Sequence, residues 1–242
     1  MHKFQIGTKA LGSEYPPFVI AELSANHNGD IELVKKLMET ATDCGADAVK
    51  IQTYSADTMT IKSNKADFFI SHGLWRGRSL YDLYEKAQTP FEWQGELFNF
   101  ARKKNITLFS TPFDESAAEL LTNVGTPAFK ISSFENTDIG LLKNVASRGK
   151  PVLVSSGMAD KIEIKKAVKT IQQSGCEDLL LFHCISSYPT PLASSKLGMI
   201  KMLSDEFKVL VGLSDHTLGN EAAVAAVMLG AVAIEKHFTL DR

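Results

Sequence analysis

The 242 residues include 26 Lys plus Arg against 28 Asp plus Glu, a net charge of −2, and 44% are apolar. This composition fits a soluble globular protein with a large core, and the charge balance gives no reason to expect nucleic acid or an anionic membrane as a partner. No apolar run reaches the ~18 residues that span a bilayer, the N-terminus lacks the apolar stretch of a secretory signal, and three cysteines (Cys44, Cys176, Cys184) without metal-type spacing read as reduced cytoplasmic thiols.

Phe18–Glu22 is the first of eight short apolar runs, each brief enough for a buried parallel strand rather than a helix. It ends in Glu22, ahead of the polar loop SANHNG; a carboxylate there is either a general acid or base, or a solvated loop residue. Ile31–Cys44 follows as an amphipathic helix with Ile31, Val34, Leu37 and Met38 on one face. In the second run, Ala48–Tyr54, Lys50 and Gln52 share parity and point to one side. A lysine flanked by Val49 and Ile51 is a poor surface residue and a good anion ligand or Schiff-base nucleophile.

Residues 65–90 form an aromatic-rich excursion with Trp75, Tyr81 and Tyr84 beside Arg76 and Arg78, which reads as a lid or substrate loop. Helix Phe91–Lys104 leads to the third run, Thr107–Phe113, with Ser110 and Thr111. Helix Ser116–Val124 leads to the fourth, Ala128–Ser133, where Lys130 repeats the buried lysine and Ser132 and Ser133 follow. Helix Ile139–Arg148 precedes Pro151–Gly157, with Ser155 and Ser156; helix Lys161–Ser174 precedes Asp178–Cys184, with His183, which like His27 is a lesser metal candidate. Helix Lys196–Glu206 precedes Lys208–Asp215, which carries Ser214 and Asp215 and runs into His216. Helix Asn220–Leu229 precedes Ala231–Phe238, where Glu235 and His237 share parity.

Strict alternation of strand and helix predicts an α/β fold, and eight strands is the number that closes a (β/α)8 TIM barrel. An open doubly wound sheet would call for a GxGxxG after the first strand, and none is present. Polar residues gather instead at nearly every strand end, where barrel active sites sit. Two lysines plus the hydroxyls suggest a cradle for an anionic, phosphate-bearing ligand. His216 and His237, on adjacent strands, could bind a divalent metal with positions left open, or be hydrogen-bonded core histidines. The chain stops at Arg242 straight after the eighth strand, so residues 1–242 are expected to be one barrel domain, truncated before its eighth helix.

The motifs IAELSANHNG (20–29), GADAVKIQTY (45–54), STPFD (110–114), FKISSFE (129–135), VSSGM (154–158), YPTP (188–191), GLSDHT (212–217) and IEKHF (234–238) resemble the sialic acid synthase family across essentially the whole chain. The resemblance implies condensation of phosphoenolpyruvate with an acylamino sugar to a nine-carbon 2-keto acid and phosphate. It also implies a divalent metal (Mn2+ or Mg2+, or Co2+) and a homodimer. The family's antifreeze-like C-terminal domain, whose Arg reaches the partner's sugar site, is not in this sequence. The excursion and SANHNG look like the pseudaminic acid branch, whose sugar is 2,4-diacetamido-2,4,6-trideoxy-altropyranose. N-acetylneuraminate and legionaminate synthases are the alternatives within the family; a Schiff-base aldolase and a non-catalytic sugar-binding module lie outside it.

By resemblance, His216 and His237 match metal ligands. Lys50, Thr111, Lys130, Ser133, Ser155 and Ser214 match positions that hold phosphoenolpyruvate. Gln52, Tyr188 and Glu235 match positions near the sugar, and Glu22 matches the acid–base carboxylate, so that Glu22, Lys50 and Lys130 form the expected catalytic set. Ser186 stands where N-acetylneuraminate enzymes tend to have Asn.

Overall fold

A computed structural model of the chain describes residues 3–71 and 75–241. Eight parallel strands close a barrel: β3 (Phe18–Glu22), β4 (Ala48–Thr53), β5 (Leu108–Pro112), β6 (Phe129–Ile131), β7 (Val152–Ser155), β8 (Leu179–Cys184), β9 (Leu210–Asp215) and β10 (Ala233–His237). They stand in chain order around the wall, with β10 against β3 completing the circle. Each predicted run contains its strand, trimmed by a few residues at the ends.

Helices α1 (Ile31–Asp43), α4 (Phe91–Lys104), α5 (Glu115–Asn123), α6 (Ile139–Ala146), α7 (Lys161–Gln173), α8 (Gly198–Phe207) and α9 (Glu221–Met228) connect the strands. Four of them start on aspartate: Asp30, Asp114, Asp138 and Asp160 accept hydrogen bonds from the orphan N–H groups of the first turn. Gly45, Gly125 and Gly230 follow the C-terminal ends of α1, α5 and α9 at φ of 95°, 80° and 99°, a left-handed conformation that suits a residue without a Cβ.

Side chains alternate across each strand and so build two cores. Outward residues such as Val49, Ile51, Ile131 and Val154 pack under the helices. Inward residues Phe18, Ile20, Ala48, Phe109, Leu153 and Leu180 fill the N-terminal half of the barrel. There they meet Phe4, Ile6 and Leu11 from an antiparallel hairpin of β1 (Lys3–Ile6) and β2 (Lys9–Gly12), which the sequence reading did not include. The hairpin stoppers one end with apolar side chains, and the polar inward residues are left to line the other.

The long β4–α4 connection holds two further unanticipated helices, α2 (Ala56–Met59) and α3 (Leu80–Ala87), and a bridge between Phe69 and Ser79. His72, Gly73 and Leu74 of the excursion lie outside the described residues. Among the described residues, no helix is long and apolar enough to cross a membrane.

Candidate active site

At the C-terminal end of the strands the barrel opens into a cavity of about 230 Å³. Lining it are Glu22, Lys50, Gln52, Thr111, Lys130 and Ser133, together with Ser155, Tyr188, Ser214, His216, Glu235 and His237. Every residue singled out by resemblance for substrate, metal or proton transfer therefore faces one space.

Register explains the grouping. Glu22 of β3 stands level with Lys50 of β4 on one side and with His237 of β10 on the other. Ser214 of β9 is level with both Glu235 and Cys184. The floor is a buried ionic cluster. Lys50 Nζ lies 2.6 Å from Glu22 Oε2 and 3.3 Å from Glu235 Oε1, and donates weakly to Thr111 Oγ1 at 3.4 Å. Lys130 Nζ donates to both Glu235 oxygens, at 3.0 and 3.2 Å, and Ser214 Oγ donates to Oε1 at 3.1 Å. Glu235 thus sits between the lysines rather than at the rim.

The two ammonium groups differ in ease of protonation. Burial opposes charge on both. At Lys50 the pair Glu22 and Glu235 outweighs burial and holds the ammonium above the usual lysine range. Lys130 has only Glu235, feels Lys50 beside it, and titrates below the usual range. Burial would raise Glu235, but Lys130 and Lys50 hold its carboxyl well below that of a free glutamate.

One rim carries the imidazoles. The rings of His216 and His237 are 5.4 Å apart, and Tyr188 lies over them at 4.2 and 5.9 Å. His216 Nδ1 is 3.0 Å from the Ile185 carbonyl, and His237 Nδ1 is 3.2 Å from Ser24 Oγ. His237 is exposed at the rim, yet partial desolvation among its cavity neighbours lowers it and favours its neutral form. Among the described residues, no group of three His, Cys, Asp or Glu side chains comes together as a complete metal site. Also on the wall are Tyr54, Met59, Tyr84, Phe113 and Phe134, with Tyr54 edge-on to both Phe113 and Tyr84.

Several expectations are corrected. Ser110 and Ser156 face away from the cavity and bond to the Ile51 and Phe182 carbonyls. His183 is fastened to the Ser195 carbonyl and His27 to Gly29 N–H and Thr89, and both lie outside the cavity lining. Ser186 packs near Gly157, also outside the lining. Among the described residues of the excursion, Tyr84 is the only aromatic that reaches the cavity; Trp75 stacks with Arg78, and Tyr81 donates to Asp57.

The residue reading missed Cys184, whose Sγ is 3.9 Å from His216 Nδ1, and Ser24. Parity could have found the first, because Cys184 follows inward Phe182 by two positions.

A model of the NeuB family matches residues 37–242. A pseudaminic acid synthase of Campylobacter jejuni is 45% identical over 225 residues, covering 93% of this chain. The chain spans 66% of that relative's length. An N,N'-diacetyllegionaminic acid synthase of the same species is 40% identical over 227 residues, covering 93% of this chain and 68% of its own. The crystal structure of an N-acetylneuraminic acid synthetase from Leptospira borgpetersenii superposes with a TM-score of 0.89 at 32% identity, over 99% of this chain and 79% of that one.

Proposed function

The chain belongs to the NeuB family, and from that premise we propose that it condenses phosphoenolpyruvate with 2,4-diacetamido-2,4,6-trideoxy-altropyranose and water. The products are a nine-carbon 2-keto sugar acid, pseudaminic acid, and inorganic phosphate. The observation that carries this reading is the cavity itself: two buried lysines, two carboxylates, five serine and threonine hydroxyls and two imidazoles converge at the mouth of one barrel. The 45% identity to a pseudaminic acid synthase favours that sugar, while the legionaminate synthase at 40% keeps its substrate as the alternative.

Lys50 and Lys130 are the cations for the phosphate and carboxylate of phosphoenolpyruvate. Thr111, Ser133, Ser155 and Ser214 add hydroxyl donors around the same floor. Holding both substrates in one cavity raises their effective concentration and aligns the enol carbon with the open-chain aldehyde. Glu22, paired with Lys50 at 2.6 Å, is the carboxylate that takes and returns a proton as water adds at C2 and the C–O bond to phosphate breaks. Gln52, Tyr188 and Glu235 are assigned to the sugar.

The imidazoles fit a divalent cation. The Ile185 carbonyl can only accept from His216 Nδ1, which leaves that ring's Nε2 lone pair for a ligand, and His237 Nδ1 lies against the Ser24 hydroxyl. His216 and His237 would hold Mn2+, Mg2+ or Co2+, which when bound polarises the aldehyde and stabilises the developing alkoxide.

The test is phosphate release by the purified chain. It should require phosphoenolpyruvate and the diacetamido-trideoxy sugar together, exceed the rate with the legionaminate precursor or N-acetylmannosamine, and vanish with chelator. Release with phosphoenolpyruvate alone, or none with any sugar, refutes the synthase. One observation favours a second mechanism: Lys130 loses its proton more readily than a free lysine, as a Schiff-base nucleophile must. Borohydride trapping of a substrate–Lys130 adduct in the presence of chelator would establish that aldolase instead. The working form is proposed as a homodimer in the cytoplasm, to be measured by light scattering.

A further inference from the structure

Ser24 stands just past the end of β3 with φ of 46°, in the left-handed region that non-glycine residues seldom occupy. Such backbone persists where surrounding contacts demand it, and those contacts tend to be functional. Ser24 makes three, all at the cavity. Its N–H and its hydroxyl both donate to Glu22 Oε1, each at 2.9 Å. Its Oγ is also 3.2 Å from His237 Nδ1.

Proton counting assigns the direction of the last bond. A hydroxyl has one proton, and a carboxylate oxygen can only accept. With that proton on Glu22, the contact to His237 holds only if Nδ1–H donates to Oγ. The remaining nitrogen, Nε2, then carries the lone pair. His216 reaches the same tautomer by a different route, through the Ile185 carbonyl.

We propose that Ser24 is a positioning residue: its hydroxyl ties Glu22 to His237 and fixes the imidazole in the form that presents Nε2 to a divalent cation. This inference rests on the reading that His216 and His237 hold the metal. It goes further in making the acid–base carboxylate and a metal ligand two ends of one hydrogen-bonded unit.

The loop does not depend on Ser24 for its path. Asn26 Nδ2 donates to the Phe238 carbonyl at 2.8 Å, Phe238 N–H donates to the Glu22 carbonyl at 2.8 Å, and Leu23 N–H donates to the Lys50 carbonyl at 2.9 Å. Removing the hydroxyl should therefore leave the fold in place. Ser24→Gly is the cleaner variant because glycine accepts the positive φ without strain; Ser24→Ala keeps the backbone cost and loses only the hydroxyl.

The experiment titrates the full chain with Mn2+, following free Mn2+ by electron paramagnetic resonance, for wild type, Ser24→Gly, Ser24→Ala and His237→Ala. Thermal unfolding is measured in parallel. Loss of an outer-shell partner typically weakens metal affinity about 10–100-fold. That loss is expected in both Ser24 variants, with the unfolding midpoint of Ser24→Gly equal to or above wild type. In the metal-free chain, ¹⁵N shifts of His237 should report Nδ1–H in wild type and a tautomer mixture in Ser24→Gly. Wild-type Mn2+ affinity in Ser24→Gly, with affinity lost in His237→Ala, overturns the assignment of Ser24 alone. Unchanged affinity in His237→Ala overturns the metal reading and this inference with it.

Discussion

Lys50 and Lys130 look equivalent in sequence, each a lysine inside an apolar strand, but their neighbours separate them. Lys50 serves two carboxylates and Lys130 one. Lys50→Met would leave Glu22 buried without a cation, and losing one partner of a buried pair typically costs about 3–5 kcal/mol. Urea denaturation is expected to show that loss for Lys50→Met and a smaller one for Lys130→Met, while both variants weaken phosphoenolpyruvate. A second residue-level effect lies at the cavity edge. Burial pushes the Glu135 carboxyl from the ordinary 4.5 up to about 7, and Ser132 donates to it. Between those values the folded chain keeps a proton that the unfolded chain has released, so stability falls as pH rises through the window. Glu135→Gln is expected to abolish that fall. Its advantage over wild type should reach on the order of 3 kcal/mol above pH 7 and vanish near pH 4, as read by denaturant midpoints. Parity made much of the site legible, since Lys50 with Gln52 and Glu235 with His237 follow the two-residue repeat of a strand. It was not applied to the serines: Ser110 and Thr111 are neighbours, so only one can face inward, and residue type alone does not say which. Ser24 was invisible because its meaning comes from His237, at the far end of the chain.

The eight barrel strands were readable because burial on both faces makes each a compact apolar run bounded by polar ends. The hairpin of β1 and β2 was not. Its strands are four residues long, and only Phe4, Ile6 and Leu11 carry the apolar signal, which turns into packing only against a barrel already closed. Leu11→Ala should cost about 2–5 kcal/mol, the usual range for a buried leucine, although it touches no part of the cavity. Gly212 in β9 is a sharper case. A Cβ there would lie 2.6 Å from the Ala233 carbonyl and 2.7 Å from the Phe182 ring, so Gly212→Ala is expected to lower the thermal midpoint or abolish soluble expression. In the excursion, the helix-forming stretch after Ser79 was hidden by its aromatic content, which suggested a lid. With Tyr84 on the cavity wall and Trp75 stacked on Arg78, sugar selectivity should respond to Tyr84→Ala by ~1–3 kcal/mol in relative kcat/KM. Trp75→Ala should leave the ratio unchanged.

At the scale of the molecule, the barrel's floor is electrically balanced: two ammonium groups face two carboxylates. A phosphate ester with its own carboxylate brings negative charge that this floor cannot fully offset, so a cation on the imidazoles should help it bind. The coupling is reciprocal, and a 5- to 150-fold tightening of phosphoenolpyruvate by Mn2+ is the expected range, measured by titration with and without chelator. Equal affinity in both conditions would place the anion away from the histidines. The closing seam between β3 and β10 governs something different, the order of events during synthesis. Phe18 is aligned with Ala233, and the interior cluster that takes in the hairpin also requires Val232. A nascent chain can pair β3 through β9 as they emerge, but Phe4, Ile6 and Leu11 have no finished place to go until β10 leaves the ribosome. Contacts so distant in sequence fold slowly, and the waiting apolar surface is open to other chains meanwhile. Refolding yield should fall steeply with protein concentration and recover when a chaperone shields those early residues.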